Sequence, residues 1–340
     1  MLDDRKAAIL RAIVREHVRS GEPVGSKALA ARFRLKVSPA TIRNDMAVLE
    51  EQGYLMQPHT SAGRVPTARG YRWFVDNWPV PEWPELGARD RRAIDGAFRS
   101  HFHDLEDSLE TTSQVLSTIT EALAVVAAPP SRRNRLRRLE LVRRDDHHAT
   151  LLLIADTGVV EQGVVEFPEP QSEEALEDAA RALSAELDGV AFEDVPARLQ
   201  RSSQSDLARV AITAEIGDVL RRCTVERIFR GGTANILARD KLVDLEAAHD
   251  VVGVVEKAPM LSALLEAARQ AGNVIVFIGE ENPIREMRVC GVVFSPYEVS
   301  SDRLGTLGVI GPTRMDYPHA ISAVEAVARS LSSLLDAAGA

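Results

Sequence analysis

The stretch SPATIRNDMAVLEEQGYLMQPHTSAGRVPT, Ser38 to Thr67, constrains the fold more than any other part of the chain. It joins a polar, cation-bearing helix to a short hairpin that closes on Gly63, Arg64 and Pro66. Ser38 is a good N-cap, and Pro39 sits at the first helical position, where its missing N–H costs nothing. Ile42, Met46 and Leu49 fall at i, i+4 and i+7 and predict a buried seam. Turning about 100° per residue brings Ala40, Asn44 and Ala47 to the far side, flanked by Arg43 and Thr41. Two alanines permit close approach to another surface. Asn and Arg have the shape for paired hydrogen bonds to adenine and guanine edges in a DNA groove. Inserted by its N-terminus, such a helix directs its positive dipole end at phosphate and keeps Glu50 and Glu51 clear. The hairpin tip then offers His59, Thr60, Ser61 and Arg64, which suit a phosphate or the minor groove.

The residues around this stretch complete a small domain. Residues 3–19 carry Ile9, Leu10, Ile13, Val14 and Val18 on one stripe, closed by Ser20-Gly21. A turn through GEPVG leads to a short helix from Ser26, with Ala28, Leu29 and Phe33 facing inward. Three helices followed by a hairpin is the winged helix-turn-helix order. A further helix, TARGYRWFVDNW, precedes the proline-rich run PVPEWPELG, which marks a linker over 79–89. Charge supports the division. Residues 1–78 hold 13 Lys and Arg against 8 Asp and Glu, whereas 79–340 hold 28 against 42, so a basic head precedes an acidic body.

The body reads as strands, then helices, then strands, an α+β pattern. Residues 90–127 predict one long helix or two, with Leu105, Leu109, Leu116, Ile119 and Leu123 at helical spacing. LRRLELVRR (136–144), ATLLLIAD (149–156) and VVEQGVVEF (159–167) predict an antiparallel meander joined by short turns. Helical periodicity follows over 172–187 and 205–221, and strands return from residue 273 until a last helix at about 317–335. Leu176, Ala180, Leu183 and Leu187 exceed what a short helix pair must bury, which nominates the helical block as a dimer contact; the alternative is a helical layer covering the sheet of its own subunit.

PVGSKALA, the Ser38–Asp76 run and, far downstream, GVIGPTRMDYPHAISAVEAV closely resemble the HrcA family of bacterial heat-inducible transcription repressors. The resemblance runs in order from about residue 3 to 335 and is weakest over 169–235. It implies a homodimer that binds double-stranded DNA at an inverted-repeat operator, the CIRCE element, and represses chaperone operons. It also implies support by the GroE chaperonin, which is withdrawn when heat-damaged clients occupy it. The implied division is a winged helix-turn-helix domain at 1–78, a GAF-like domain from 90–168 and 236–340, and an inserted dimerising domain at 169–235.

Enzymes and metal proteins find little here. Cys223 and Cys290 are far apart, which fits a reducing cytoplasm and argues against a cysteine-based zinc site. RRDDHHAT (143–150) places two Asp and two His in one tight turn, where adjacent side chains diverge; a solvated turn is expected. FRGGTAN and GTLGVIGPTR lack phosphate-loop spacing and are expected to turn the chain beside strands. Glu280 and Glu281 of IGEENP are expected at a helix start. PTRMDY (312–317) is expected as a turn with Arg314 and Asp316 paired locally; no chemistry is derived for it. No cofactor is implied. No apolar run reaches the roughly 20 residues a membrane helix needs, and the start MLDDRKAAIL is not signal-like. The alternative is a metabolite-responsive regulator or enzyme with a winged interaction module. It predicts a small ligand that raises thermal stability.

Overall fold

The computed structural model describes residues 2–338 apart from 34–36, 60–61, 79–83, 100–104, 130–133, 201–206, 224–226, 238–244 and 301–302. The chain divides into two compact units, one built from 1–127, 228–297 and 306–334, the other centred on 128–227.

The first unit begins with the winged head. Helix α1 (Asp4–Ser20) starts at Asp3, whose carboxylate accepts from Lys6 N at 2.8 Å, and ends at Gly21 with φ 72°. Helix α2 (Ser26–Arg32) and helix α3 (Pro39–Glu51) follow. Strands β1 (Leu55–Met56) and β2 (Val65–Pro66) pair antiparallel, and helix α4 (Ala68–Asp76) closes the head. Ile9, Leu10, Ile13, Leu29, Ile42, Leu49 and Leu55 are fully or nearly fully buried. Burial of each such side chain is worth about 1.5–3 kcal/mol before chain entropy is deducted.

Helices α5 (Ala88–Phe98) and α6 (Leu105–Thr120) come next, then strand β3 (Leu123–Ala127). Leu123 therefore begins a strand and does not extend the helix expected over 90–127. Every residue of β3 is buried, because both faces of its sheet are covered.

The second unit contains the meander β4 (Leu136–Arg143), β5 (His148–Ala155) and β6 (Val160–Glu166), in that order across the sheet, with helices α7 (Glu173–Leu187), α8 (Val195–Gln200) and α9 (Leu207–Cys223). Leu139, Leu141, Leu151, Leu153 and Val165 share one core with Leu176, Leu183, Leu187, Ile212 and Ile216. This corrects the expected division at 168/169: the meander belongs with the helical block, because its apolar face is what those helices bury. It also removes Leu176, Ala180, Leu183 and Leu187 as surplus, since all four lie in that core.

The chain then returns to the first unit through strand β7 (Ile228–Gly231) and helices α10 (Thr233–Leu237), α11 (Leu245–Glu256) and α12 (Ala258–Ala271). Strands β8 (Ile275–Ile278), β9 (Cys290–Ser300) and β10 (Arg303–Pro312) and helix α13 (Tyr317–Ala338) follow. The five-stranded sheet has the order β7-β3-β10-β9-β8. Leu123, Val125, Val292 and Phe294 pack with Val251, Val254, Leu261 and Leu264 of α11 and α12. The α+β class and the winged head at its start agree with the sequence reading.

Candidate nucleic-acid interface

Helix α3 is held from behind and left open in front. Ile42, Met46 and Leu49 are buried, as their spacing predicts. Asp45 is buried too, and the sequence reading missed it. Arg5 Nε reaches Asp45 Oδ2 at 2.7 Å and its terminal nitrogen reaches Oδ1 at 3.0 Å, a two-pronged bond tying α1 to α3 across 40 residues. That bond holds the Arg5 guanidinium above its ordinary pKa. Nothing local announces it, because an Asp on the flank of a helix is usually solvated.

The opposite face carries Ala40, Arg43 and Asn44 exposed, with Thr41 and Ala47 half-buried at its edges. Ser38 is also exposed, and its hydroxyl caps the helix by accepting from Thr41 N at 3.1 Å. The Ser38 and Thr41 hydroxyl oxygens lie 3.0 Å apart, so both are partly engaged within the helix start.

The wing is fixed to the head by backbone. Val24 and Arg64 exchange two N–H···O bonds of 2.9 Å, so the α1–α2 turn adds a third edge to the hairpin. A Cβ at Gly63 would lie 2.4 Å from the Val24 carbonyl, so this approach requires glycine. His59 is exposed, and its carbonyl accepts from Ala62 N at 2.9 Å. Thr60 and Ser61 lie outside the described residues.

Arg64 departs from expectation. It sits at the base of the wing, and its Nε donates to Glu50 Oε2 at 2.8 Å. The cation that the spacing offers to phosphate braces the wing against α3 in this DNA-free structure. Most other cations of the head are similarly engaged. Lys6 pairs with Asp3, while Arg19 and Arg32 both pair with Glu16. Arg11, Arg15 and Arg69 lie over the rings of Trp73, Trp78 and Tyr54 at 5.4, 5.3 and 4.7 Å. Among the described residues of the head, Arg43 and the exposed Lys27 have neither an acidic nor an aromatic partner. Lys27 was not singled out from the sequence; its place near the start of an exposed short helix was the available signal.

Among the described residues no group of three His, Cys, Asp or Glu could hold a metal. In the RRDDHHAT turn, the His148 ring and then the backbone N–H groups of His147 and His148 bond to Asp145, which keeps its carboxyl below the usual range. Cys290 is buried, and desolvation pushes its thiol up to about 12, unsuited to nucleophilic work. No helix among the described residues is long and apolar enough to cross a membrane.

Residues 23–67, from the turn before α2 to the start of α4, match the family described as DeoR-like helix-turn-helix domain. Residues 106–321 match the family described as HrcA protein C terminal domain. The heat-inducible transcription repressor HrcA of Acidothermus cellulolyticus is 42% identical, with 98% of this chain and 99% of that protein aligned. The protein of the same name from Pelotomaculum thermopropionicum is 36% identical over 98% and 97% of the two chains. A crystal structure described as that of a hypothetical protein shares the fold, with a TM-score of 0.62 at 24% identity and 99% of each chain covered. The matches span the open-faced α3, the wing and the five-stranded body together, and the chain therefore belongs to the HrcA family of transcription repressors, not to a family of enzymes.

Proposed function

We propose that this chain represses heat-shock chaperone operons in the cytoplasm as a homodimer on an inverted-repeat operator of the CIRCE type. The observation that carries the reading is the face of α3. Arg43 and Asn44 stand exposed beside Ala40, on a helix fixed from behind by three apolar residues and the Arg5–Asp45 bond. In this reading Ala40 and Ala47 allow close approach to the major groove, and Arg43 and Asn44 meet base edges. Ser38, Thr41, His59, Thr60 and Ser61 meet the sugar-phosphate backbone or the minor groove. Arg64 acts indirectly, by holding the wing.

A single winged module buries only about 600–1,000 Å² against DNA, which calls for two heads on one operator. An inverted repeat calls for a two-fold axis in the protein. The outer face of the meander supports that pairing. Val142, Val160 and Val164 are 51, 53 and 45% exposed there, with Leu152 and Ile154 half-buried between them. Such a sheet face is costly to leave in water and is able to meet its own copy. The name of the relatives supports control by heat, and the family resemblance supports a role for GroE chaperonin in keeping the repressor competent.

The test is a footprint on chaperone-operon promoters of the source genome. Protection of an inverted repeat is expected, lost after modest heating and regained with chaperonin and nucleotide. Loss of binding that reverses on cooling, indifferent to chaperonin, overturns the thermal part of the reading.

A further inference from the structure

The PTRMDY segment, which yields no chemistry as a sequence, lies where the winged head meets the five-stranded body. Its expected Arg314–Asp316 pair does not form. The Arg314 guanidinium instead lies against Gly21, the left-handed end of α1; a Cβ there would sit 2.3 Å from one guanidinium nitrogen. Tyr317 is buried with its ring 5.8 Å from that of Tyr71, itself buried on α4. The Tyr317 hydroxyl donates to the Thr313 carbonyl at 2.9 Å and occupies space that any side chain at Gly291 would take. One residue along α4, Arg72 donates to Glu281 Oε1 at 2.8 Å, to the other Glu281 oxygen, and to the Val276 carbonyl at 2.5 Å. Glu281 is fixed in turn by accepting from Ile278 N at 2.8 Å. Ala68 of α4 rests against Gly279, which has φ 57°.

These contacts hold the head by α1 and α4, while Ala40, Arg43 and Asn44 of α3 remain exposed. The head is therefore docked without its reading face being covered. Docking through a two-pronged ion pair, a tyrosine pair tilted at 55° and close approach to two glycines fixes orientation as well as position. A greasy patch alone would permit sliding.

We infer that this seam determines the half-site spacing the repressor accepts, with Arg72 and Glu281 as its positioning residues. The inference rests on the proposed dimeric reading. One base pair is about a tenth of a 34–36 Å helical turn, so inserting one shifts a half-site by about 3.4 Å and rotates it by about 35°. A head docked at this seam cannot swing there to follow that change; a head released from the seam can.

The experiment uses the full chain and three sets of duplexes: a single half-site, the inverted repeat, and repeats with the gap changed by one or two base pairs. The variants are Arg72→Met and Glu281→Gln. The second is isosteric and keeps an acceptor for Ile278 N, which guards against a variant that merely unfolds. Wild type is expected to lose about tenfold in affinity per base pair of altered gap. The variants are expected to lose less than about threefold per step, and about three- to tenfold at the best gap, because a freed head has a lower effective concentration. Half-site affinity stays unchanged. Variants that keep the tenfold steps, or whose half-site affinity falls in parallel, overturn the seam's role. A wild-type protein that binds the repeat no better than a half-site overturns the dimeric reading itself, and the seam's role with it.

Discussion

The winged head and the meander unit dispose of their surfaces in opposite ways. The head keeps most of its apolar residues inside, Met56 on the wing excepted, and engages most of its cations with carboxylates or aromatic rings, leaving Arg43 and Lys27 open among the described residues. The meander unit buries one face of its sheet under α7 and α9 and leaves valines standing on the other. A polar surface with a few unpaired cations suits a hydrated, anionic partner such as DNA. Apolar side chains at half exposure across neighbouring strands suit another protein surface. The two contacts a repressor needs are therefore separable, one on the head and one on the meander.

The largest effect is expected at the meander. Val142 and Val164 both flank Thr150 of the central strand, so Val142→Glu with Val164→Glu sets four like charges together in a two-fold contact. Scattering mass should fall to that of a monomer. Affinity for the inverted repeat should drop by about 10²–10⁴, the factor that joining two heads supplies, and half-site affinity should not move. A variant that remains dimeric would relocate the contact, with the exposed Leu207 and Val210 of α9 next to be tried.

Next in size is the reading face. Arg43→Ala or Asn44→Ala should cost about 1–3 kcal/mol on the operator and relax base preference at one position of each half-site. Both side chains are exposed, so thermal stability should stay within about 0.5 kcal/mol of wild type. Unchanged affinity and preference for Asn44→Ala would mean that α3 enters the groove on another face.

The same contrast explains what could be read from the chain beforehand. In the head, the signals are local: a cap three residues from its partner N–H and a seam at i, i+4 and i+7. Such signals survive without knowledge of the rest of the fold. In the body, the alternation of Leu139, Leu141, Leu151 and Leu153 announces a strand pair with one buried face, but not which helices bury it. Two sheets were available, and only packing with Leu176, Leu183 and Ile216 decides between them. Long-range ion pairs are hidden for the same reason. Arg5–Asp45 and Arg72–Glu281 join positions 40 and 209 residues apart, and neither member differs in sequence from an ordinary surface charge. Arg64 shows the same limit: a cation beside a wing tip suggests phosphate, and nothing local reveals that Glu50, 14 residues back on α3, also holds it.

Arg64 supplies the smallest and most discriminating effect. If it touched phosphate, Arg64→Ala would flatten the dependence of log affinity on log salt by about 0.9 and weaken operator and random DNA alike. The pair with Glu50 predicts otherwise. Its Arg and Glu side chains are 19 and 33% exposed, so the bond is partly screened, and its loss should cost about 0.2–1 kcal/mol of stability. The backbone bonds of Val24 to Arg64 do not depend on the side chain, so the wing should keep its course. The salt slope should stay that of wild type, with operator affinity lower by no more than about threefold, the RT ln 3 of a slightly looser wing. Glu50→Gln sharpens the test, since it releases Arg64 without removing it. A steeper slope and tighter binding to random DNA are expected, because the freed cation then reaches the backbone it does not touch in the paired state. A slope unchanged in Glu50→Gln but flattened in Arg64→Ala would mean that Arg64 leaves Glu50 for phosphate whenever DNA is bound.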